Sequence, residues 1–288
     1  EGVPLDKANI PSAFSNDRRT VFLVHGWQST IFYVEYYEVR NALLNKEDLN
    51  VIGADWKYGA DDYTYFQSAS NTKTMGALIG ATVNALRTVS GSNPYFWCVG
   101  RSLGAHVCGN TRLTARPVLD RITGCDPAGP SFDPLEGLIR GSASKVDVIH
   151  TDSILGSDTP RGHVDFYPNG GDNQPSCSSS LIGRDGKDGG SKPRLTDAER
   201  IRIMQSALKE RGSIGCSHLI SLTYFRESVK NTQCYVADQS CTSHNSLPGS
   251  CSQLAAIEQK AVMGYDATSH RYDGIFYLEP GNTFPHCT

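Results

Sequence analysis

Short apolar runs alternate along the chain with longer segments whose apolar residues recur at helical spacing. The apolar runs predict strands over 20–24, 49–56, 95–99, 122–127 and 145–151. Helical spacing over 32–46 and 72–88, and a small-residue segment from Leu103, predict the helices between them. A helix over 217–229 and a last strand over 272–278 follow. Such alternation favours a mostly parallel central sheet with helices on both faces.

The pattern changes beyond residue 165. Residues 169–190 are rich in Gly, Ser, Asp and Asn, which predicts a surface loop. The segment Thr196–Glu199 is typical of a capping box and opens a helix with Ile201, Met204 and Leu208 on one face. Cys177 and Cys216 flank the segment that contains most of this loop and the helix. A disulfide between them would close a loop of roughly 40 residues, worth on the order of 3–4 kcal/mol in the chain-entropy model.

Composition narrows the class of protein. The 288 residues are 39% hydrophobic and 20% charged, as in ordinary globular proteins, and their number suits one large domain or two small ones. The formal net charge is -3 and no basic run is present, so a nucleic-acid partner is not expected. No apolar run approaches ~20 residues, so a transmembrane segment is not expected either.

Nine cysteines predict an oxidising, extracellular compartment. Cys234, Cys241 and Cys251 lie in a polar loop, which suits disulfides better than packing. Because nine is odd, at least one thiol is expected to be free or paired outside the chain. Cys98 and Cys108 lie on elements predicted to be buried, and we expect them to be core thiols rather than a bridge. No Cys-x-x-Cys spacing occurs, which argues against a zinc ribbon.

The motif Gly100-Arg101-Ser102-Leu103-Gly104 lies between a predicted strand and a predicted helix. In an α/β hydrolase this is the nucleophile elbow, where the serine sits on a strained turn and glycines permit close packing. The five-residue pattern is weak by itself. Its strand-to-helix context makes Ser102 a candidate nucleophile.

A serine hydroxyl needs a base to take its proton and an acid to orient that base, in the chain order Ser, Asp or Glu, His. Asp126 ends a predicted strand, although Asp126-Pro127 is equally typical of a turn. Of the eight histidines, His25 precedes the serine, whereas His106, His150 and His163 are predicted to be structural. The residues alone leave open the four remaining histidines, which are His218, His244, His270 and His286.

Several segments together resemble the animal lipases of the pancreatic lipase family. In family order they are Val24–Trp27, Ala54–Trp56, Val99–His106, Asp126–Pro130, Val148–Asp152, Asp165–Gly171 and Cys216–His218. The resemblance implies a single α/β-hydrolase domain over 1–288 with a lid over 178–215. It implies Ser102 as nucleophile, Asp126 as acid and His218 as base, with the backbone N–H groups of Trp27 and Leu103 as the oxyanion hole. It also implies that a Cys177–Cys216 disulfide closes the lid.

The chain also departs from that family. Position 101 is Arg where the family commonly has His, and Arg140–Lys145 lacks acidic counterparts of the family's calcium site, so no metal or other cofactor is expected. The chain ends near the family's last hydrolase-domain strand, and we therefore expect neither the C-terminal β-sandwich nor dependence on colipase. The short flap over 153–162 resembles that of insect and venom phospholipases, whereas the long lid resembles that of triacylglycerol lipases.

The resemblance predicts a secreted serine esterase that acts on lipid esters at an oil–water or membrane interface. Triacylglycerol is one expected substrate, and the sn-1 ester of a phospholipid or galactolipid is the alternative. Two other hypotheses are a non-catalytic lipid-binding or storage homologue and a peptidase or small-ester hydrolase on the same scaffold. The bulky lid favours an apolar substrate over those of the last class.

Overall fold

Successive side chains of the first strand, β1 (Arg19–Val24), pack into two separate hydrophobic cores. Phe22 and Val24 belong to one core, and Val21 and Leu23 belong to the other. Because neighbouring side chains of a strand point to opposite faces, this continuous apolar run places β1 in a sheet that is covered on both sides.

The structure is a computed structural model that describes residues 14–62, 64–91, 94–177, 195–210, 215–254, 260–267 and 272–287. Its strands are β1, β2 (Leu49–Ala54), β3 (Phe96–Ser102), β4 (Leu119–Pro127), β5 (Ala143–Ile149), β6 (Val164–Pro168), β7 (Val236–Ala237), β8 (Gln239–Cys241), β9 (Cys251–Gln253), β10 (Ala261–Val262) and β11 (Gly274–Leu278). Its helices are α1 (Val34–Lys46), α2 (Lys57–Ala60), α3 (Tyr65–Arg87), α4 (Leu103–Asn110), α5 (Asp197–Glu210) and α6 (Cys216–Lys230).

Nine of the described strands form one sheet in the order β2-β1-β3-β4-β5-β6-β11-β8-β9. The pairs from β2 through to β11 are parallel, whereas the β11–β8 and β8–β9 pairs at one edge are antiparallel. Helices α3 and α4 supply the first core, whereas α1 and α6 supply the second. The predicted mostly parallel sheet with helices on both faces is confirmed.

Several elements differ from the sequence-based prediction. Helix α3 begins at Tyr65 rather than at 72, because Thr64 caps it by accepting a hydrogen bond from the Gln67 N–H at 3.2 Å. Strand β6 was not predicted, since Asp165 interrupts its apolar pattern; that carboxylate is buried and accepts from the Arg161 N–H at 2.8 Å. The short edge strands β8 and β9 lie in the polar region assigned to loop.

Disulfides join Cys98 to Cys108, Cys177 to Cys216, Cys234 to Cys287 and Cys241 to Cys251. The prediction that Cys98 and Cys108 are core thiols is wrong. Helix α4 folds back onto β3 and brings their Cα atoms to 5.7 Å, within the range that a disulfide spans. Cys125 is unpaired and buried. In the described part of the chain, no helix is both long and apolar enough to cross a membrane.

The predicted capping box at the start of α5 is present. The Thr196 N–H donates to Glu199 Oε2 at 2.7 Å, and the Glu199 N–H donates to Thr196 Oγ1 at 3.3 Å. Ile201 is buried in the first core. Most of the predicted lid, including 178–194 and 211–214, lies outside the described residues, as do the side chains of Met204 and Leu208.

Candidate active site

Ser102 lies where β3 ends and α4 begins, with φ 57° and ψ -125°. This is an unusual backbone conformation for a residue with a side chain, and such strain is typical of a nucleophile elbow. The two motif glycines explain how the turn closes. A Cβ on Gly100 would overlap the Gly104 backbone, and one on Gly104 would overlap the carbonyls of Val24 and His25.

Asp126 is placed by an irregularity of β4. Arg101 pairs with Cys125 and Ser102 pairs with Pro127. Asp126 therefore has no paired residue on β3, and it adopts φ 46°. A bulge of this kind redirects a side chain out of the regular strand pattern. Asp126 Oδ1 accepts from the N–H groups of Thr151 at 2.8 Å and Asp152 at 3.2 Å. The carboxylate is therefore held at the carboxyl edge of the sheet.

His218 lies in the first turn of α6, two residues after the disulfide-bonded Cys216. Its Nδ1–H donates to Asp126 Oδ2 at 2.5 Å. Its Nε2 atom is buried and has no hydrogen-bond partner among the described residues. Ser102 ends the strand next to Asp126, but its hydroxyl is not hydrogen-bonded to this imidazole. Such hydrogen bonds are often long before substrate binds.

Burial shifts the pKa values of both members of the Asp126–His218 pair toward their neutral forms. It raises the pKa of Asp126, and the two backbone N–H donors oppose that shift. It lowers the pKa of His218; the Asp152 carboxylate opposes this shift, whereas the Arg101 guanidinium adds to it. Because the imidazole stays neutral at neutral pH, its Nε2 lone pair is available to accept a proton.

The segment that precedes the predicted oxyanion donor Trp27 lies against the nucleophile. A Cβ built on Gly26 would come within 2.9 Å of Ser102 Cβ. The N–H groups of Trp27 and Leu103 have no acceptor within the described residues. Leu103 is the first residue of α4, where a free N–H and the helix dipole both favour a negative charge.

Other histidines are held by contacts elsewhere. His106 accepts from the Leu138 N–H at 3.0 Å and lies 2.8 Å from the Ala128 carbonyl. His150 pairs with Asp165 at 2.8 Å, and His163 accepts from the Val146 N–H at 3.0 Å. His244 lies in a short turn, and His286 is buried with its Nδ1 2.9 Å from the Gly281 carbonyl. Among the described residues neither contacts Ser102, and His270 lies outside them.

Two residues near the imidazole were not predicted as part of the site. Asp152 is buried, and its Oδ1 accepts from the N–H groups of Ile154 and Leu155, each at 2.7 Å. Burial raises the pKa of this carboxyl to about 6. Arg101 is buried too, with its guanidinium 5.7 Å from the centre of the Tyr36 ring and its Nε unpaired. Arg101 directly precedes Ser102 in the chain, but the sequence does not show that either Arg101 or Asp152 comes near the imidazole.

Within the described residues, no group of three or more His, Cys, Asp or Glu side chains is arranged to hold a metal ion. The site consists instead of a strained serine, a buried imidazole–carboxylate pair and two free backbone N–H groups. These are the groups required for acyl transfer through a serine nucleophile.

Comparison with known proteins assigns the family. The family model named Lipase matches residues 4–285. Pancreatic triacylglycerol lipase of Myocastor coypus is 30% identical over 301 residues, which cover 97% of this chain and 61% of that protein. Inactive pancreatic lipase-related protein 1 of Homo sapiens is 33% identical over 247 residues, which cover 82% of this chain and 49% of that protein. Lipase member H-A of Xenopus laevis is 36% identical over 170 residues, which cover 57% of this chain and 37% of that protein.

This chain therefore spans between about a third and three fifths of the length of these relatives. The family match extends over nearly all of its own length, and its sheet is mostly parallel, with Ser102 at a strand-to-helix turn. The chain belongs to the lipase family.

Proposed function

We propose that the protein hydrolyses carboxylic esters of lipids, with Ser102 as nucleophile, His218 as base and Asp126 as the acid that orients it. The 2.5 Å hydrogen bond between His218 and Asp126, at the sheet edge where the strained Ser102 also lies, is the observation that carries this proposal. Family membership supports the same chemistry.

In the proposed reaction His218 Nε2 takes the proton of Ser102 Oγ as that oxygen attacks the ester carbon. The tetrahedral oxyanion is stabilised by the N–H groups of Trp27 and Leu103. The same proton then passes from Nε2 to the leaving alcohol, and an acyl-enzyme remains. His218 next takes a proton from water as the oxygen of that water attacks the acyl carbon. Collapse then releases the fatty acid as Nε2 returns the proton to Ser102 Oγ, which restores both residues.

We propose that residues 178–215, tied at their base by the Cys177–Cys216 disulfide, act as the lid of this site. Two contacts of α5 support this role. Ile201 is buried in the same core as Trp27, and the Ser131 N–H donates to Asp197 Oδ2 at 2.8 Å. Because Ser131 lies in the loop that follows Asp126, α5 is docked beside the proposed site. A lid of this kind suits a bulky apolar substrate at a lipid interface.

The favoured substrate is triacylglycerol, and the alternative substrate is the sn-1 ester of a phospholipid or galactolipid. Emulsified triglyceride, phospholipid vesicles and galactolipid micelles, assayed side by side, would separate these. The matched control is Ser102→Ala, which should lower every rate by at least about a thousandfold. Undiminished hydrolysis by that variant would show that Ser102 is not the nucleophile.

A second candidate is non-catalytic lipid binding. Ser102 and His218 are not hydrogen-bonded, and one relative is itself named inactive. An organophosphate distinguishes the two, because it labels only a serine that a base activates. Lipid binding without labelling of Ser102 would favour the non-catalytic function.

The four disulfides support an extracellular location for either function, because they persist in an oxidising compartment.

A further inference from the structure

The loop between β1 and α1, residues 25–31, carries Trp27 and is held by residues that follow β2. At its first residue, the Trp56 indole Nε1–H donates to the His25 carbonyl at 2.8 Å. The Trp56 backbone N–H donates to His25 Nε2 at 2.9 Å. Two hydrogen bonds from one residue thus fix both the backbone and the side chain at the start of the loop.

The second of these bonds also assigns the proton on His25. A backbone N–H can only donate, so Nε2 is the acceptor and the neutral imidazole carries its proton on Nδ1. That Nδ1–H then donates to the Gly26 carbonyl at 3.0 Å. Burial lowers the pKa of His25, which keeps the ring in this neutral form. The imidazole therefore braces the peptide that joins Gly26 to Trp27.

The far end of the loop is held by Asp55. Its Oδ1 atom accepts from Thr30 Oγ1 at 2.9 Å and from the Ile31 N–H at 3.3 Å. The same oxygen lies 3.0 Å from His25 Nε2, but both atoms are acceptors in this tautomer, so the hydrogen bonds of Asp55 hold only the far end of the loop. Between the two ends of the loop, the Gln28 N–H donates to the Ala60 carbonyl at 2.9 Å. Gln28 has φ 45°, a strained conformation that persists only where surrounding contacts hold it.

We propose that Asp55 is a positioning residue for ester hydrolysis, because it anchors the Thr30 and Ile31 end of the 25–31 loop and thereby helps to fix the Trp27 N–H beside Ser102. This inference rests on the proposed function, in which that N–H stabilises the oxyanion. Asp55 acts through the loop and does not touch the reacting atoms. Oxyanion stabilisation depends on donors that are already in place, so a loop that moves would lower the rate of the chemical step.

The test compares Asp55→Ala with Asp55→Asn. The alanine variant loses the acceptor for Thr30 and Ile31, whereas the asparagine variant keeps a side-chain oxygen in its place. Asp61→Ala is the matched control, because Asp61 is an exposed carboxylate that follows α2 and its side chain makes no hydrogen bond to residues 25–31 among the described residues. Asp55 is itself only partly buried, with 31% of its side chain exposed, so its loss should leave the fold intact.

Two measurements are made on each protein. The first is kcat and KM on a soluble, monomeric short-chain ester, which removes binding at an interface from the result. The second is amide hydrogen exchange over residues 25–31, which reports the order of the loop whether or not the protein is an esterase.

We expect Asp55→Ala to lower kcat by about 10- to 100-fold with little change in KM, and to speed amide exchange at Trp27. Asp55→Asn should restore kcat to within about threefold of wild type, and Asp61→Ala should match wild type in both measurements. Unchanged exchange over 25–31 in Asp55→Ala would overturn the inference, as would faster exchange with an unchanged kcat. If the wild-type protein lacks esterase activity, the proposed function fails, and amide exchange alone then decides whether Asp55 orders the loop.

Discussion

In the proposed mechanism, the protonation state of His218 determines whether Ser102 can lose its proton. Burial lowers the pKa of His218 below the ordinary value of 6.5, because the charged imidazolium is poorly solvated at that position. The base is neutral above its pKa, so activity should be lost only as the pH falls through that lowered value. We expect kcat/KM on a soluble ester to stay level from about pH 8 to pH 6 and to fall at lower pH, with a midpoint well below 6. A midpoint at or above 6.5 would contradict this description of the imidazole.

Arg101 contributes to that shift. Two charged groups act on the pKa of His218: Asp152 from the segment after β5, and Arg101 from β3. The positive charge of Arg101 disfavours imidazolium and lowers the pKa of His218, whereas the Asp152 carboxylate raises it. Removing the positive charge should therefore raise the pKa of the base.

We accordingly predict that Arg101→Met moves the acid limb of kcat/KM to higher pH by about 0.3 to 1 unit, as expected for unit charges several ångström apart. The methionine keeps much of the buried length of the side chain and removes only the charge. The measurement is the pH profile of both proteins at one ionic strength. An acid limb that stays in place, or moves to lower pH, would contradict the assignment.

Helix α5 is the element whose position should control access to the site. It is docked through Ile201 and through the hydrogen bond from the Ser131 N–H to Asp197. Asp197→Ala removes that acceptor and should make opening easier by the value of one hydrogen bond. We predict a rate on a monomeric ester that is about 2- to 10-fold higher than that of wild type.

The matched control for this prediction is Gln205→Ala, since Gln205 is an exposed residue of the same helix. The increase of rate between monomeric and micellar substrate should be smaller in Asp197→Ala than in either wild type or the control. A rate on monomeric substrate that is unchanged or lower in Asp197→Ala would mean that the hydrogen bond between Ser131 and Asp197 does not hold α5 over the proposed site.

At the level of elements, periodicity located most helices and strands, because burial on both faces leaves uninterrupted apolar runs in β1 and β3. It failed where a polar residue is buried with its own partners, as for Asp165 in β6. The sequence also predicted core thiols at Cys98 and Cys108, which instead form a disulfide. It depends on how α4 folds back over β3, which neither residue type nor spacing specifies.

For the whole molecule, chain order and family resemblance predicted which residues form the candidate site, and the sheet explains why they meet. Strands β3 and β4 are parallel neighbours, so their carboxyl ends bring Ser102 and Asp126 to one edge. The sequence gives no sign of the bulge that turns Asp126 toward α6, or of the role of Asp55 in the 25–31 loop. Both depend on backbone geometry and on contacts between residues distant in sequence.

The central claim is that this edge of the sheet is a serine esterase site. Its most direct test is mass spectrometry of the intact protein and its peptides after treatment with an organophosphate, with Ser102→Ala treated in parallel. We expect one adduct per chain, located on Ser102, with loss of lipid-ester hydrolysis in proportion to labelling. An active protein that carries no adduct on Ser102, or that is equally active as Ser102→Ala, would contradict it.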